Sequence, residues 1–285
     1  MWVNFQSFDN EILIQGVKFI FWYNGKLINS QSIELDVNNL GLLYGATIFT
    51  TLRVYDASLS HPLTNWESHI RRIQTSIDFF NQYCNWYQPN YKQINQGCEV
   101  MKQHFPVLRI TVFPDGKEWI IGRNLPANLA VKQQQGITAM IANSNLSRSL
   151  PNYKTGNYLT PWLAKSIAEN DSSQEAIFVD ESGNWLETTT GNLWGWKDGC
   201  WWTPPIDAGI LPGIMRSHLL NSLRNQHQKV REEAWTQELI RSLETLAYCN
   251  SVVEIIPIHS VIQSTGKLKY NPQNPSLREL QKIFI

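Results

Sequence analysis

The segments Tyr153-Lys154-Thr155-Gly156-Asn157-Tyr158-Leu159 and Leu186-Glu187-Thr188-Thr189-Thr190-Gly191-Asn192-Leu193 decide how this chain is read. The first runs into Leu159 to Glu169, where apolar residues recur at helical spacing. The second begins in a predicted strand, Trp185 to Thr190, and passes through Gly191 into another, Asn192 to Trp196. One lysine therefore stands just before a helix, and one carboxylate near the end of a strand. A single lysine is ordinarily a solvated surface residue. A lysine that folding desolvates is different: its lowered pKa makes the amine a nucleophile and a base.

Outward from these segments, the second half of the chain is rich in predicted strands. Ala176 to Val179 joins Trp185 to Thr190 through Glu181-Ser182-Gly183, and Cys200 to Thr203 follows the hairpin signal Asp198-Gly199. Pro212-Gly213 leads into a helix through Met215, Leu219, Leu220 and Leu223. Ala247 to Ile258 and Gly266 to Leu268 return to strand character, and Leu277 to Ile285 reads as a short helix. The first half mixes the two. Val17 to Leu27 reads as a strand, an Asn24-Gly25 turn and a second strand start, and Thr47 to Tyr55 is a further strand. Thr64 and Glu67 form a capping box ahead of Ile70, Ile73, Ile77 and Phe80. Gln93 to His104 reads as a helix, and Pro106 to Phe113 with Lys117 to Ile121 as a hairpin. The expectation is an α+β protein of two domains: residues 1–125, a polar linker at 126–135, and a larger domain at 136–285.

Bulk properties exclude several functions. Lysine plus arginine and aspartate plus glutamate balance at 24 each, which argues against nucleic acid or an anionic membrane as partner. No apolar run approaches the roughly 20 residues of a membrane helix. The N-terminus lacks the basic start and apolar run of a signal peptide. Cys84, Cys98, Cys200 and Cys249 are dispersed, with no metal-binding spacing, so no metal is expected. They read as reduced thiols of a cytoplasmic protein. The 12 tryptophans, several clustered between Trp185 and Trp202, read as packing residues on strands.

Three further segments complete a pattern. His69-Ile70-Arg71-Arg72 places an arginine, a good phosphate ligand, on a helix. Gly209-Ile210-Leu211-Pro212-Gly213-Ile214-Met215-Arg216 places a glycine-containing turn ahead of a helix, whose free amides suit a phosphate. Tyr248-Cys249-Asn250-Ser251 supplies short polar residues beside a strand. With Lys154 and Glu187, these five segments resemble, in order, the class IV aminotransferases. These are fold-type IV enzymes that use pyridoxal 5'-phosphate.

The resemblance, from about Phe21 to Ile258, implies a small N-terminal domain and a larger pseudo-barrel domain. It implies that Lys154 is the Schiff-base lysine and catalytic base. Glu187 would face the pyridine nitrogen. Arg72 and the amides of Ile214 and Met215 would hold the phosphate, with Asn250 and Ser251 beside them. Tyr158 would meet the phenolic oxygen. Arg53 and Arg109 are the candidates for a substrate carboxylate. A homodimer is implied as well.

Within the family, Phe49-Thr50-Thr51-Leu52-Arg53-Val54, Met215 after Ile214, and Cys249-Asn250-Ser251 lean toward aminodeoxychorismate lyase. The expectation is thus formation of 4-aminobenzoate and pyruvate, with an aminotransferase acting on branched-chain or D-amino acids as the alternative. Two segments depart from the pattern. Gly45-Ala46-Thr47 replaces Gly-Asp-Gly beside the substrate, and Tyr158 replaces a basic residue of the lyase.

Overall fold

A computed structural model describes residues 19–284. Two sheets organise the chain. The first holds β1 (Ile20–Tyr23), β2 (Lys26–Asn29), β3 (Ile48–Arg53), β4 (Val107–Val112) and β5 (Glu118–Arg123), in the antiparallel order β2-β1-β5-β4-β3. The short helix α1 (Leu40–Tyr44) precedes β3, and α2 (Trp66–Phe80) and α3 (Tyr91–Met101) pack on the sheet. Their contact faces follow from helical spacing: Ile73 and Ile77 of α2, and Ile94 and Met101 of α3, have no exposed surface. Gly97 of α3 is required by packing, because a β-carbon there would lie 2.6 Å from the Trp22 ring.

The expected capping box at Thr64 is not formed. Pro62–Thr64 makes a 3₁₀ turn capped by His61, which shifts the start of α2 by a residue. The actual N-cap is Asn65, in left-handed backbone and without a side-chain cap bond. The Thr64 hydroxyl instead donates to Ser58 O and accepts from Tyr55 N.

The second sheet closes on itself. The strands β6 (Ile137–Ile141), β7 (Glu175–Val179), β8 (Trp185–Thr188), β9 (Asn192–Lys197), β12 (Thr245–Asn250) and β13 (Glu254–Gln263) form a six-strand barrel in the order β9-β12-β13-β6-β7-β8, and β8 returns to β9. β10 (Cys200–Thr203) and β11 (Lys229–Glu232) extend it beyond β9, and β14 (Gly266–Lys269) pairs with β13. Asp198 and Gly199 both take positive φ, as the expected Asp-Gly hairpin requires. Trp185, Trp194, Trp201 and Trp235 are at most 2% exposed, so these tryptophans are packing residues.

Two readings change in this half. Residues 129–135, within the stretch read as a linker, form α4, with Leu129 buried and the helix against β13. Ala247 to Ile258 is not one strand but β12 and β13. The Asn250 carboxamide oxygen accepts from Val252 N at 2.9 Å and Val253 N at 3.0 Å, and Glu254 takes φ of 60°, so the chain reverses inside an apolar run. The remaining helices are α5 (Leu159–Asn170), α6 (Ile214–Asn225), α7 (Gln237–Ser242) and α8 (Pro275–Gln281).

Candidate active site

The loop before α5 is held by the first sheet. Phe49 N donates to Lys154 O at 2.8 Å and Gly156 N to Thr47 O at 2.7 Å, so β3 carries the lysine segment along its free edge. Gly156 is fixed by this contact: a β-carbon there would lie 2.1 Å from Thr47 Oγ1. The residues Gly45-Ala46-Thr47 thus form the seat of the lysine loop.

The Lys154 ammonium lies 4.8 Å from the Phe49 ring centre and 5.3 Å from that of Tyr158. Burial pushes its pKa well below the ordinary value, Arg148, Arg72 and Arg109 add to the shift, and Glu187 opposes it. Desolvation of this kind favours the uncharged amine, the form that attacks carbonyl carbon.

Glu187 sits at the end of β8, 3% exposed. One carboxylate oxygen pairs with Arg148 at 2.7 Å. The other accepts from Leu211 N at 3.2 Å and lies 3.4 Å from the Asn192 amide nitrogen. Burial pushes its pKa up, against Arg148 and the Leu211 amide. Asn192 also donates to Leu211 O at 2.9 Å, so the loop before α6 is fastened directly to Glu187.

That loop ends at Gly213, the N-cap of α6, with no side-chain cap bond. The first amides of α6, at Ile214 and Met215, have no partners within the helix. Arg72 reaches the same place from α2, donating to Pro212 O at 2.8 Å. Burial lowers its pKa to about 10, Arg148 contributes, and Glu187 acts in the opposite sense. Arg71 is exposed.

Tyr158 donates to Thr189 O at 2.8 Å and is pushed up to about 12 by burial. Arg109 lies 3.7 Å over the Phe49 ring, and burial lowers it to about 10. Lys154, Glu187, Arg72, Arg109, Tyr158, Ile214 and Met215 therefore converge. Arg53 takes other partners: Glu254 at 2.7 Å and the Tyr55 ring at 4.5 Å. Asn250 caps the β12–β13 turn and also donates to Thr190 O at 3.3 Å, while Ser251 O accepts from Arg53 N.

Sequence reasoning did not single out Arg148, or Asn192 and Leu211 as partners of Glu187. Arg148 sits in a polar loop where nothing distinguishes it from a surface arginine.

The arrangement sets the Lys154 amine and three guanidinium groups, Arg72, Arg109 and Arg148, around the single carboxylate Glu187 among the charges that Lys154 senses. An excess of cationic groups of this kind suits an anionic ligand. Residues 47–261 match the family described as amino-transferase class IV.

The chain belongs to the class IV aminotransferases.

It is 25% identical over 264 residues to the branched-chain-amino-acid aminotransferase of Escherichia coli K12, covering 84% of each chain. It is 23% identical over 267 residues to the aminodeoxychorismate lyase of Bacillus subtilis, covering 85% of this chain and 86% of the lyase. Its fold matches the PLP-bound form of a hypothetical aminotransferase from Mycobacterium tuberculosis with TM-score 0.76 at 17% identity, over 93% of this chain and 96% of the other. This is an enzyme of a pyridoxal phosphate-dependent family. The donor set fits that cofactor: an amine for its aldehyde, a carboxylate for its ring nitrogen, and an arginine with helix amides for its phosphate. Among the described residues no group of three or more His, Cys, Asp or Glu could hold a metal, and no helix is long and apolar enough to cross a membrane.

Proposed function

We propose that the chain is a pyridoxal phosphate-dependent aminotransferase for an α-amino acid, of the branched-chain type. The observation that carries this reading is the Lys154 amine held beside the Phe49 and Tyr158 rings, in a site shared with the buried Glu187. Arg72 and the Ile214 and Met215 amides would hold the phosphate. Glu187 would hold the ring nitrogen, and Tyr158 the phenolic oxygen. The bound cofactor supplies an aldehyde carbon for amine exchange and a ring that accepts the electrons left at the α-carbon.

The rest is work for this chain's own groups. Arg109, beside Lys154, would orient the substrate carboxylate so that its α-hydrogen faces the amine. Lys154 would take the α-proton as a neutral base and deliver it back at the adjoining carbon. Phe49 and Tyr158 flank the amine and keep water from it.

The lyase is the second reading, favoured by Phe49-Thr50-Thr51-Leu52-Arg53-Val54 and by the Bacillus relative. There Lys154 would take the α-proton of aminodeoxychorismate, the enolpyruvyl C–O bond would break as the ring becomes aromatic, and a proton returned to the departing enolpyruvate would give pyruvate. The lyase-like residues have scaffold duties, however. The Thr50 hydroxyl pairs with His69 at 2.6 Å, Arg53 with Glu254, and Cys249 Sγ lies 3.3 Å from the Trp194 indole nitrogen. Met215 is 1% exposed in the core beneath α6. These positions report packing more than substrate, and Tyr158, inside the site, departs from the lyase.

A homodimer is part of the proposal. α5 leaves Leu159, Trp162, Leu163 and Ile167 between 38% and 66% exposed on one face, an apolar surface suited to a second copy.

The test is single-turnover spectroscopy of the cofactor-loaded protein with leucine, D-alanine and aminodeoxychorismate. Conversion of bound cofactor to its amine form by leucine supports the aminotransferase. Equal release of 4-aminobenzoate and pyruvate moves the assignment to the lyase. No reaction with any of the three overturns both.

A further inference from the structure

We infer that Arg148 is a positioning residue that fixes where a proton resides between Glu187 and a ring nitrogen facing it. The inference rests on Glu187 being the partner of that nitrogen.

Arg148 and Glu187 form an ion pair at 2.7 Å, with side chains only 9% and 4% exposed. Arg148 belongs to the segment between β6 and α5, six residues before Lys154, and reaches across to the end of β8. The geometry divides the carboxylate. Oε1 belongs to Arg148, and Oε2 takes the Leu211 amide and faces the Asn192 carboxamide. Every neighbour of Glu187 is therefore a donor, and the guanidinium is the one that carries charge at hydrogen-bonding distance. The other charged or titratable groups facing Glu187 are Lys154, Arg72 and Tyr158.

The physical consequence follows from a shared proton. A buried carboxylate and a pyridine-type nitrogen that hold one proton between them have two arrangements. One is a neutral acid with a neutral ring; the other is a carboxylate with a protonated ring. A low dielectric favours the neutral pair. A cation bonded to the carboxylate favours the charged pair, because it stabilises the negative oxygen directly. Arg148 holds the negative charge on Glu187, and the proton stays on the nitrogen. It touches neither substrate nor reacting atoms in this role.

The experiment uses pyridoxal phosphate labelled with ¹⁵N at the ring, loaded into the full-length wild type, R148K, R148M and E187Q. The ring-nitrogen resonance reports protonation directly, and fluorescence titration gives cofactor affinity. Wild type and R148K are expected to show the protonated-nitrogen signal. R148M is expected to move toward the unprotonated signal while still binding the cofactor, and E187Q to move the same way. If E187Q moves but R148M keeps the wild-type signal, the inference about Arg148 is wrong. If E187Q also keeps it, Glu187 is not the partner of the nitrogen, and the reading beneath the inference falls first. R148K guards against misfolding of R148M: a lysine that retains the charge but does not hold the protonated signal also overturns the proposal.

Discussion

Glu187 and Asn192 are the register pair through which β8 meets β9 and closes the barrel, and their side chains approach to 3.4 Å at the site. The closing residues of the scaffold and the carboxylate of the site are therefore the same. The position of Glu187 is set by strand pairing, not by a mobile loop.

Asn192 reaches α6 from this pair. A β-carbon on Gly213 would lie 1.9 Å from its carboxamide oxygen. Gly213→Ala is expected to displace the first amides of α6, destabilise the fold by about 1–3 kcal/mol through overpacking, and weaken cofactor binding. Asn192→Ser in the same chain should restore part of both. Urea unfolding and fluorescence titration measure the two effects, and additive losses would show that the clash is not the cause.

Gly156→Ala should drive the Lys154 loop off β3, because the added carbon meets Thr47 Oγ1 and lies 2.9 Å from Gly45 O. The expected result is loss of the visible absorption of bound cofactor at ordinary loading, with the far-UV circular dichroism unchanged. Thr47→Ala should recover part of it.

The lowered pKa of Lys154 makes the stability of cofactor-free protein depend on pH. The unfolded chain holds the lysine proton up to the ordinary value of 10.5, and the folded chain releases it lower. Between the two values the unfolded state binds more protons, so stability rises with pH. Lys154→Met should be more stable than wild type at neutral pH, and the gap should close as pH approaches 10.5. Chemical denaturation across that range measures it; a gap that does not change with pH would refute the assignment.

Arg53 and Glu254 join the first sheet to the barrel, and Tyr55 and Gln133 bond the same carboxylate at 2.9 Å each. Arg53→Met is expected to cost about 1–3 kcal/mol of stability by leaving Glu254 without its cation. A double-mutant cycle with Glu254→Gln should give a coupling of about 0.5–3 kcal/mol. If Arg53→Met instead raises KM for the amino acid with stability intact, Arg53 binds substrate.

Arg216 is 2% exposed and bonds Pro204 O at 2.8 Å and Glu232 at 2.7 Å. Arg216→Ala should lower stability by about 3 kcal/mol, because the remaining acceptors lose a desolvated cation. Thermal unfolding of the two proteins checks this.

Much of the candidate site was proposed from the residues themselves. The lysine before an apolar helix, the glutamate before a glycine turn and the Pro-Gly helix start each carry a local signal. Structure brings Lys154, Glu187, Arg72, Tyr158, Arg109, Ile214 and Met215 together. The hairpin at Asp198-Gly199 was legible because only a few residue types accept positive φ at two successive positions. Arg148 carried no such signal, since its meaning comes from a carboxylate 39 residues away in sequence. Arg53 and Asn250, also read as site residues, make their contacts at the seam and in the β12–β13 turn.

The sequence by itself determined which residue types could do the chemistry, where the Asp198-Gly199 hairpin and the helix after Gly213 start, and that the whole follows a known order of segments. The tertiary structure alone decided which of these groups lose water, which charges face one another, and that Arg148 meets Glu187. Local propensity acts over a few residues, whereas desolvation and charge pairing depend on distances set by barrel closure and by the docking of β3 on the lysine loop.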